Sequence, residues 1–150
     1  MGQKTHLELE LCSVGLRGKK IIYYIVNMRT VPFPVLYRIL ALPRRGVKVV
    51  MEHRKNKFIN NYGELPQFIN GADGDPWDVI VPGYATLEYG KPYRFKKLIG
   101  VYALPDDNHK LIVDVYTEHN RDTSKIQKQI RKFKKKYEEH TKLKGSVLYF

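Results

Sequence analysis

Short segments of alternating or continuous apolar residues, separated by turns, make up most of the chain before residue 117. In residues 6–11, leucines alternate with polar side chains, which is typical of a half-buried strand. The other segments are rich in β-branched and aromatic residues, which favour strands. The pattern therefore predicts strands over residues 6–11, 20–26, 35–42, 47–51, 79–81, 98–104 and 110–116.

A helical periodicity replaces this pattern near the end of the chain. Ile126, Ile130, Phe133 and Tyr137 are spaced by four, three and four residues, so they form one apolar stripe along a helix over residues 125–140. The stripe predicts that this helix packs on the strands. Three successive residues are candidates to cap its first turn: Asp122, Thr123 and Ser124.

Many short strands followed by one helix predict a mainly β (α+β) fold, a small closed barrel with a C-terminal basic amphipathic helix. A chain of 150 residues without long linkers is expected to form a single domain. No apolar run reaches the roughly 18 residues of a transmembrane helix, so none is expected. A lone cysteine, Cys12, excludes a disulfide framework and indicates a reducing compartment.

The charge of the chain is strongly positive, with a formal net value of +12. Residues 121–144 contain ten Lys and Arg residues against three acidic residues, so more than half of the surplus lies in this segment, which includes the predicted helix. A solvated helix surface usually mixes both signs, and this imbalance favours contact with a polyanion, either nucleic acid or an anionic surface. The alternative is an ordinary solvated surface. The candidate contact residues are Lys128, Arg131, Lys132, Lys134, Lys135 and Lys136.

Three carboxylates lie within six residues in the middle of the chain: Asp73, Asp75 and Asp78. The interleaved Gly74 and Pro76 predict a turn, which a strand entering the core follows. Three acids in one turn repel one another unless a cation lies among them, and oxygen ligands suit Mg²⁺. An acidic surface loop is the alternative interpretation.

The histidines, in contrast, lack the spacing of metal ligands. We expect most of them to be ordinary surface residues, and we assign them no metal. They are His6, His53, His109, His119 and His140.

Residues 73–79 read Asp-Gly-Asp-Pro-Trp-Asp-Val, which resembles the signature of soluble (family I) inorganic pyrophosphatases. Residues 61–67, Asn-Tyr-Gly-Glu-Leu-Pro-Gln, resemble the family's Asn-Tyr-Gly segment in the form typical of eukaryotic members. Residues 99–113 resemble its second acidic segment, and residues 130–137 its late helix. The resemblance implies an OB-like pyrophosphatase barrel within one domain of residues 1–150. Residues 1–34 lie outside the clearest part of it.

The resemblance also implies a reaction, the Mg²⁺-dependent hydrolysis of pyrophosphate to two phosphates by a metal-bound water. Asp75 matches the family's acid that orients and deprotonates this water. The implied metal ligands are Asp73, Asp78, Asp106 and Asp107. The implied phosphate-binding residues are Lys48, Tyr62, Lys110 and Tyr137.

Several charged groups of the family are replaced in this chain. Ala41 and Val50 stand where the family has glutamates, and Glu138 stands where it has the lysine that follows the late tyrosine. Asn108 stands in for the last aspartate ligand, and an amide is a weaker ligand than a carboxylate. Each such loss typically lowers the rate by about two to three decades.

The chain also departs from the family between its predicted strand at 47–51 and the Asn-Tyr-Gly segment. This stretch is shorter than in a typical bacterial relative, so the loop that presents a phosphate-clamping arginine is reduced. Arg54 is a candidate substitute for that arginine, and Phe58 replaces the tyrosine that precedes Asn-Tyr-Gly.

Taken with the basic helix, these losses predict a degenerate pyrophosphatase-fold protein without catalysis. We expect a structural subunit of a larger organellar assembly, such as a mitochondrial ribosome or a respiratory complex. Its basic helix would contact the RNA phosphate backbone or an anionic surface. The alternative is an active Mg²⁺-dependent inorganic pyrophosphatase. The expected location is mitochondrial, and otherwise cytoplasmic.

Overall fold

The computed structural model describes residues 38–41, 46–52 and 58–150. The predicted strands over residues 6–11 and 20–26 lie outside this part of the chain, as do Cys12 and Arg54.

Six strands and one long helix make up the described fold. The strands are β1 (Lys48–Met51), β2 (Tyr62–Ile69), β3 (Pro76–Ile80), β4 (Pro92–Ala103), β5 (Lys110–Tyr116) and β6 (Ser146–Tyr149). A 3₁₀ turn (Thr123–Lys125) leads into the helix α1 (Ile126–Thr141).

The strands close into a barrel. Their order is β1-β2-β3-β5-β4-β6, and β1 also pairs with β4, so five strands form a ring and β6 is added beside β4. β3 and β5 pair in parallel, whereas the other described pairs are antiparallel. The predicted mainly β barrel with a C-terminal helix is confirmed.

Two apolar layers hold the structure together. Alternate residues of the strands, such as Val49, Leu65 and Val113, fill the barrel interior and are fully buried. Their neighbours on the outer face meet α1, whose buried stripe includes Ile130 and Phe133. The predicted stripe is therefore confirmed, and the helix covers one side of the barrel.

The start of the helix agrees with the sequence pattern. Asp122 is the cap of the 3₁₀ turn, because its carboxylate accepts a hydrogen bond from the Ser124 N–H at 3.1 Å. Among the described residues, no helix combines the length and hydrophobicity that crossing a membrane requires.

One predicted strand is wrong. Within residues 35–42, the described residues 38–40 are helical and Ala41 lies in a turn. A short continuous apolar run fits a buried strand and a buried helix equally well, so periodicity could not separate them. Ile39 is only 2% exposed and belongs to the barrel core.

Two strands were not predicted. β2 contains Gly63 and Pro66, residues that weaken a strand pattern. β6 has only four residues and follows Gly145, so it resembled a loop. The pairing of β6 with β4, from Gly100 to Ala103, is a tertiary feature that no local pattern reports.

Candidate functional site

The sequence predicted that the three aspartates share one turn, but the structure separates them. Asp73 and Asp75 are exposed in the turn that joins β2 to β3, but Asp78 lies within β3 and is half-buried. The Asp73 carboxylate accepts a hydrogen bond from the Asp75 N–H at 2.9 Å, a typical aspartate turn contact. The turn thus uses Asp73 to stabilise its own backbone.

Asp78 forms an ion pair with Lys110, the first residue of β5. The Lys110 Nζ lies 2.6 Å from the Asp78 Oδ2, and the lysine side chain is only 4% exposed. The parallel pairing of β3 with β5 brings these two strands side by side. A buried ammonium group requires a partner of this kind, because burying an unpaired charge is costly.

Two further acids surround this pair. Glu64 of β2 is the direct cross-strand partner of both Val50 on β1 and Asp78 on β3, so their side chains lie on one face. Glu52 follows β1, and its pKa is raised by burial and by the charges of Asp78 and Glu64. We call Glu52, Glu64, Asp78 and Lys110 the acid–lysine cluster.

Glu52 and Glu64 were not singled out from the sequence. Glu64 is half-buried between the buried Gly63 and Leu65, and its orientation could not be inferred because β2 was not predicted as a strand. Its position beside Asp78 depends on the register of β2 against β3, which the sequence does not state.

The two predicted phosphate-binding tyrosines lie beside the cluster. Tyr62 and Tyr137 both stack on Phe133, with ring centroids 6.0 Å and 5.5 Å away. Burial and the charge of Asp78 raise the pKa of Tyr62, and burial with the charge of Asp106 raises that of Tyr137. The Lys110 Nζ lies 5.9 Å from the Tyr137 ring. The structure thus brings Asp78, Lys110, Tyr62 and Tyr137 together, and their roles stay predictions.

The other predicted metal ligands lie in the loop between β4 and β5. Asp106 and Asp107 are exposed, and Asp106 accepts a hydrogen bond from the Asn108 N–H at 3.1 Å. The Asn108 Oδ1 accepts a hydrogen bond from the Asn70 Nδ2 at 3.1 Å, which ties this loop to the turn after β2. Asp106 and Asn108 thus accept hydrogen bonds from the loop backbone and from the Asn70 side chain.

The resemblance implies Mg²⁺, which requires a group of oxygen ligands. In residues 38–41, 46–52 and 58–150, no group of three or more His, Cys, Asp and Glu side chains is placed to hold a metal ion. Asp78 faces the Lys110 ammonium group, whose positive charge disfavours a cation at the same carboxylate. The described residues therefore do not fit a site for several Mg²⁺ ions.

Glu138 has a structural position rather than an open one. Its Oε2 accepts hydrogen bonds from the Tyr102 hydroxyl at 2.9 Å and the Gly145 N–H at 3.0 Å, and pairs with Lys134 at 2.9 Å. Burial alone would raise the pKa of Glu138, but the bonds from Gly145, Lys134 and Tyr102 lower it below its ordinary value. The residue joins the end of α1 to the barrel and to the segment before β6.

Three other residues that differ from the pyrophosphatase pattern are Val50, Ala41 and Phe58. Val50 is half-buried in β1, and Ala41 is exposed in the turn after residues 38–40. The Phe58 ring packs edge-on against Phe133 and Tyr137 at 6.0 Å and 5.9 Å. Phe58 thus packs on the aromatic side chains of α1.

Lys48, the fourth predicted phosphate-binding residue, is exposed at the start of β1. It lies directly opposite Arg94 of β4. The positive charges of Lys48 and Arg94 therefore lie side by side on the barrel surface.

His109 is an exception to the surface position expected for most of the histidines, whereas His119 and His140 are exposed. Its side chain is fully buried, and its Nδ1 accepts a hydrogen bond from the Leu104 N–H at 2.9 Å. Burial lowers the pKa of His109. A neutral imidazole that accepts at Nδ1 therefore supports the loop between β4 and β5.

The basic residues of α1 are mostly free to meet a partner. Lys134 is half-buried and pairs with Glu138, so it is less available than predicted. The other five candidates are exposed: Lys128, Arg131, Lys132, Lys135 and Lys136. We call these five the basic helix surface.

Comparison with known proteins gives fold likeness only. The crystal structure of inorganic pyrophosphatase from Ehrlichia chaffeensis has a TM-score of 0.47 and 22% identity, and the match covers 59% of this chain and 60% of that one. For type I inorganic pyrophosphatase from P falciparum, the values are 0.43, 24%, 59% and 39%. The chain thus spans less than two thirds of either protein. No family model and no curated protein sequence matches it.

Proposed function

We propose that this chain is a non-catalytic protein with a pyrophosphatase-like barrel, a structural subunit of a larger organellar assembly. The ion pair of Asp78 with Lys110 inside the acid–lysine cluster is the observation that supports the absence of catalysis. The basic helix surface supports the role as a subunit of an assembly.

The charge of the cluster supports the absence of catalysis. Pyrophosphate is a polyanion, and it would meet the carboxylates of Glu52, Glu64 and Asp78 around one lysine that is already paired. Such a surface repels phosphate unless several cations are held there. The described acids are not grouped to hold them.

The helix supports a role as a docking subunit. Lys128, Arg131, Lys132 and Lys135 are spaced by three, one and three residues, so they lie on one side of α1. All four are exposed, and the acids that follow, Glu138 and Glu139, lie only in its last turn. Clustered cations of this kind bind polyanions in a salt-dependent way.

Two hosts differ in what this surface would contact. In a ribonucleoprotein such as a mitochondrial ribosome, the helix meets RNA phosphates. In a respiratory complex, it meets an acidic protein surface or anionic lipid. Size-exclusion chromatography and mass spectrometry of native extract, with and without RNase, separate the two. A free monomer in both samples would contradict the proposal.

A reversal of charge tests the helix directly. Replacing Lys128, Arg131, Lys132 and Lys135 by Glu is expected to release the chain from the high-molecular-weight fraction of the size-exclusion column. Replacing Lys125 and Lys142 by Glu, at the two ends of α1, is the matched control and is expected to leave it there. Retention of the first variant would show that another surface makes the contact.

A second candidate function is Mg²⁺-dependent pyrophosphatase. The proximity of Asp78, Lys110, Tyr62 and Tyr137 favours it, because the resemblance assigns these residues to metal and phosphate. Phosphate release from pyrophosphate with Mg²⁺ is the decisive assay. We expect none above the protein-free blank, and turnover that Asp75→Asn abolishes would establish the enzyme instead.

A further inference from the structure

A row of exposed side chains crosses the barrel on β1, β4 and β5. Lys48 is the direct cross-strand partner of Arg94, and Arg94 is the partner of Tyr116. Direct partners project from the same face of a sheet. Tyr116 is 50% exposed, which is high for a large aromatic side chain.

Cations lie over the ring of Tyr116. The Arg94 guanidinium carbon is 4.6 Å from the ring centroid, and the Lys96 Nζ is 5.5 Å from it. Both distances are within the range of a cation–π contact. The ring is therefore held at the surface by Arg94 and Lys96 and is not folded into the core.

A β-bulge adds a further cation to this surface. Phe95 pairs with Val115 but Lys97 pairs with Asp114, so β4 has one extra residue at Lys96. Regular alternation would turn one of two adjacent side chains inward, whereas Lys96 and Lys97 are both exposed. Bulges commonly re-aim side chains in this way.

An acid beside these cations already has other partners. Asp114 is buried, and its carboxylate accepts hydrogen bonds from the Tyr84 hydroxyl at 2.6 Å and from Arg121 at 3.1 Å. Lys96 approaches it only to 4.0 Å. The exposed surface therefore has an excess of positive charge around one aromatic ring. We call Lys48, Arg94, Lys96, Lys97 and Tyr116 the tyrosine platform.

We propose that the tyrosine platform binds single-stranded RNA. An exposed aromatic ring and an arginine plane stack on unpaired bases, and flanking lysines bind the phosphates between them. An acidic protein or a lipid headgroup would satisfy the lysines but would not require the exposed ring. The inference rests on the proposed function by naming RNA as the partner, and it concerns a different surface from α1.

The experiment compares two RNA probes with the full chain. Fluorescence anisotropy measures binding of a labelled oligouridylate of roughly 20 nucleotides and of an RNA duplex of the same length. Tyr116→Ala is expected to weaken binding of the single strand about tenfold, because its bases are free to stack. Binding of the duplex is expected to be unchanged, because its bases are paired.

Matched variants separate this proposal from the one for α1. Tyr116→Phe keeps the ring and is expected to bind as the parent chain does, and Tyr89→Ala removes an exposed tyrosine outside the platform. Charge reversal on the basic helix surface is expected to weaken the binding of both RNA probes. If Tyr116→Ala leaves the single strand unaffected, or weakens both probes equally, the platform is overturned and the α1 result stands separately.

Discussion

At the scale of single residues, the Asn-Tyr-Gly segment has structural functions. The Asn61 side chain donates to the Tyr84 carbonyl at 3.2 Å and accepts from the Leu87 N–H at 2.9 Å, so it fixes the loop after β3. A Cβ on Gly63 would lie 2.3 Å from the Val50 carbonyl oxygen, so only glycine allows β1 to pair there. A barrel retains these residues whether or not it catalyses a reaction.

The Asp78–Lys110 pair gives the first prediction. Lys110→Met leaves Asp78 beside Glu52 and Glu64 without a cation, and the free energy of unfolding is expected to fall by about 3 kcal/mol. This is the low end for a buried pair, because the Asp78 side chain is 26% exposed. Urea denaturation measures the change.

A control pair and a second variant complete this test. Lys91→Met breaks an exposed ion pair with Glu88 and is expected to change the free energy of unfolding little. Adding Asp78→Asn to Lys110→Met should restore part of the loss, because the unpaired charge is gone. Equal small losses at Lys110 and Lys91 would contradict the buried pairing.

Glu138 gives a prediction about pH. Its folded pKa lies below the ordinary value of 4.5, so its contribution is complete above that value and is lost as pH falls through the folded pKa. Glu138→Gln is expected to lower the free energy of unfolding by about 1–2 kcal/mol at neutral pH. The difference from the parent chain should shrink below about pH 4.

Urea denaturation across this pH range measures that difference. The exposed neighbour Glu139 is the matched control, and Glu139→Gln is expected to change little at any pH. A loss at Glu138 that does not depend on pH would mean that the glutamine merely packs badly.

At the scale of elements, β6 shows how a short segment is held in place. Its residues Val147 and Leu148 pair with Tyr102 and Val101 of β4. Gly100 lies at the close approach, where a Cβ would be 2.4 Å from the Leu148 carbonyl oxygen. The contacts of Glu138 with Tyr102 and Gly145 fix the same region from the helix side.

Gly100 therefore gives a prediction with an internal control. Gly100→Ala is expected to push β6 from β4 and to cost about 1–3 kcal/mol. Gly71→Ala, in a turn with no atom within 4 Å of the new Cβ, is expected to be neutral or slightly stabilising. Urea unfolding measures both, and hydrogen exchange should show faster exchange in β6 only for Gly100→Ala. Similar behaviour of the two variants would contradict the close approach.

At the scale of the whole molecule, opposite charges occupy different surfaces. The acid–lysine cluster lies on β1, β2, β3 and β5, the tyrosine platform extends over β1, β4 and β5, and the basic helix surface lies on α1. The closed ring of five strands holds the first two surfaces, and α1 packs on that ring. A net charge of +12 makes the molecule repel itself at low salt.

This repulsion gives the last prediction. Raising NaCl from about 10 to about 100 mM shortens the screening length from about 30 to about 10 Å. The urea midpoint of the chain is therefore expected to rise. A variant with Lys128, Arg131, Lys132 and Lys135 replaced by Gln should respond less, because part of the repulsion is removed. A falling midpoint would mean that screened ion pairs outweigh the repulsion.

The sequence by itself determined the elements whose periodicity was long or unambiguous. The strand predicted over residues 110–116 has those bounds, the one predicted over 47–51 begins one residue later, and the helix of residues 125–140 differs by one residue at each end. The basic surplus of that helix was also readable, because a helical period assigns each residue to a side. These properties depend on neighbours in the chain, which the sequence states directly.

Only the tertiary structure decided which residues meet. Periodicity shows which face of a strand is buried, but it does not state the partner strand or the register. The position of Glu64 beside Asp78 and the row of Lys48, Arg94 and Tyr116 arise from register. Residues 38–40 are helical although a strand was predicted, because a short apolar pattern is compatible with burial in either conformation.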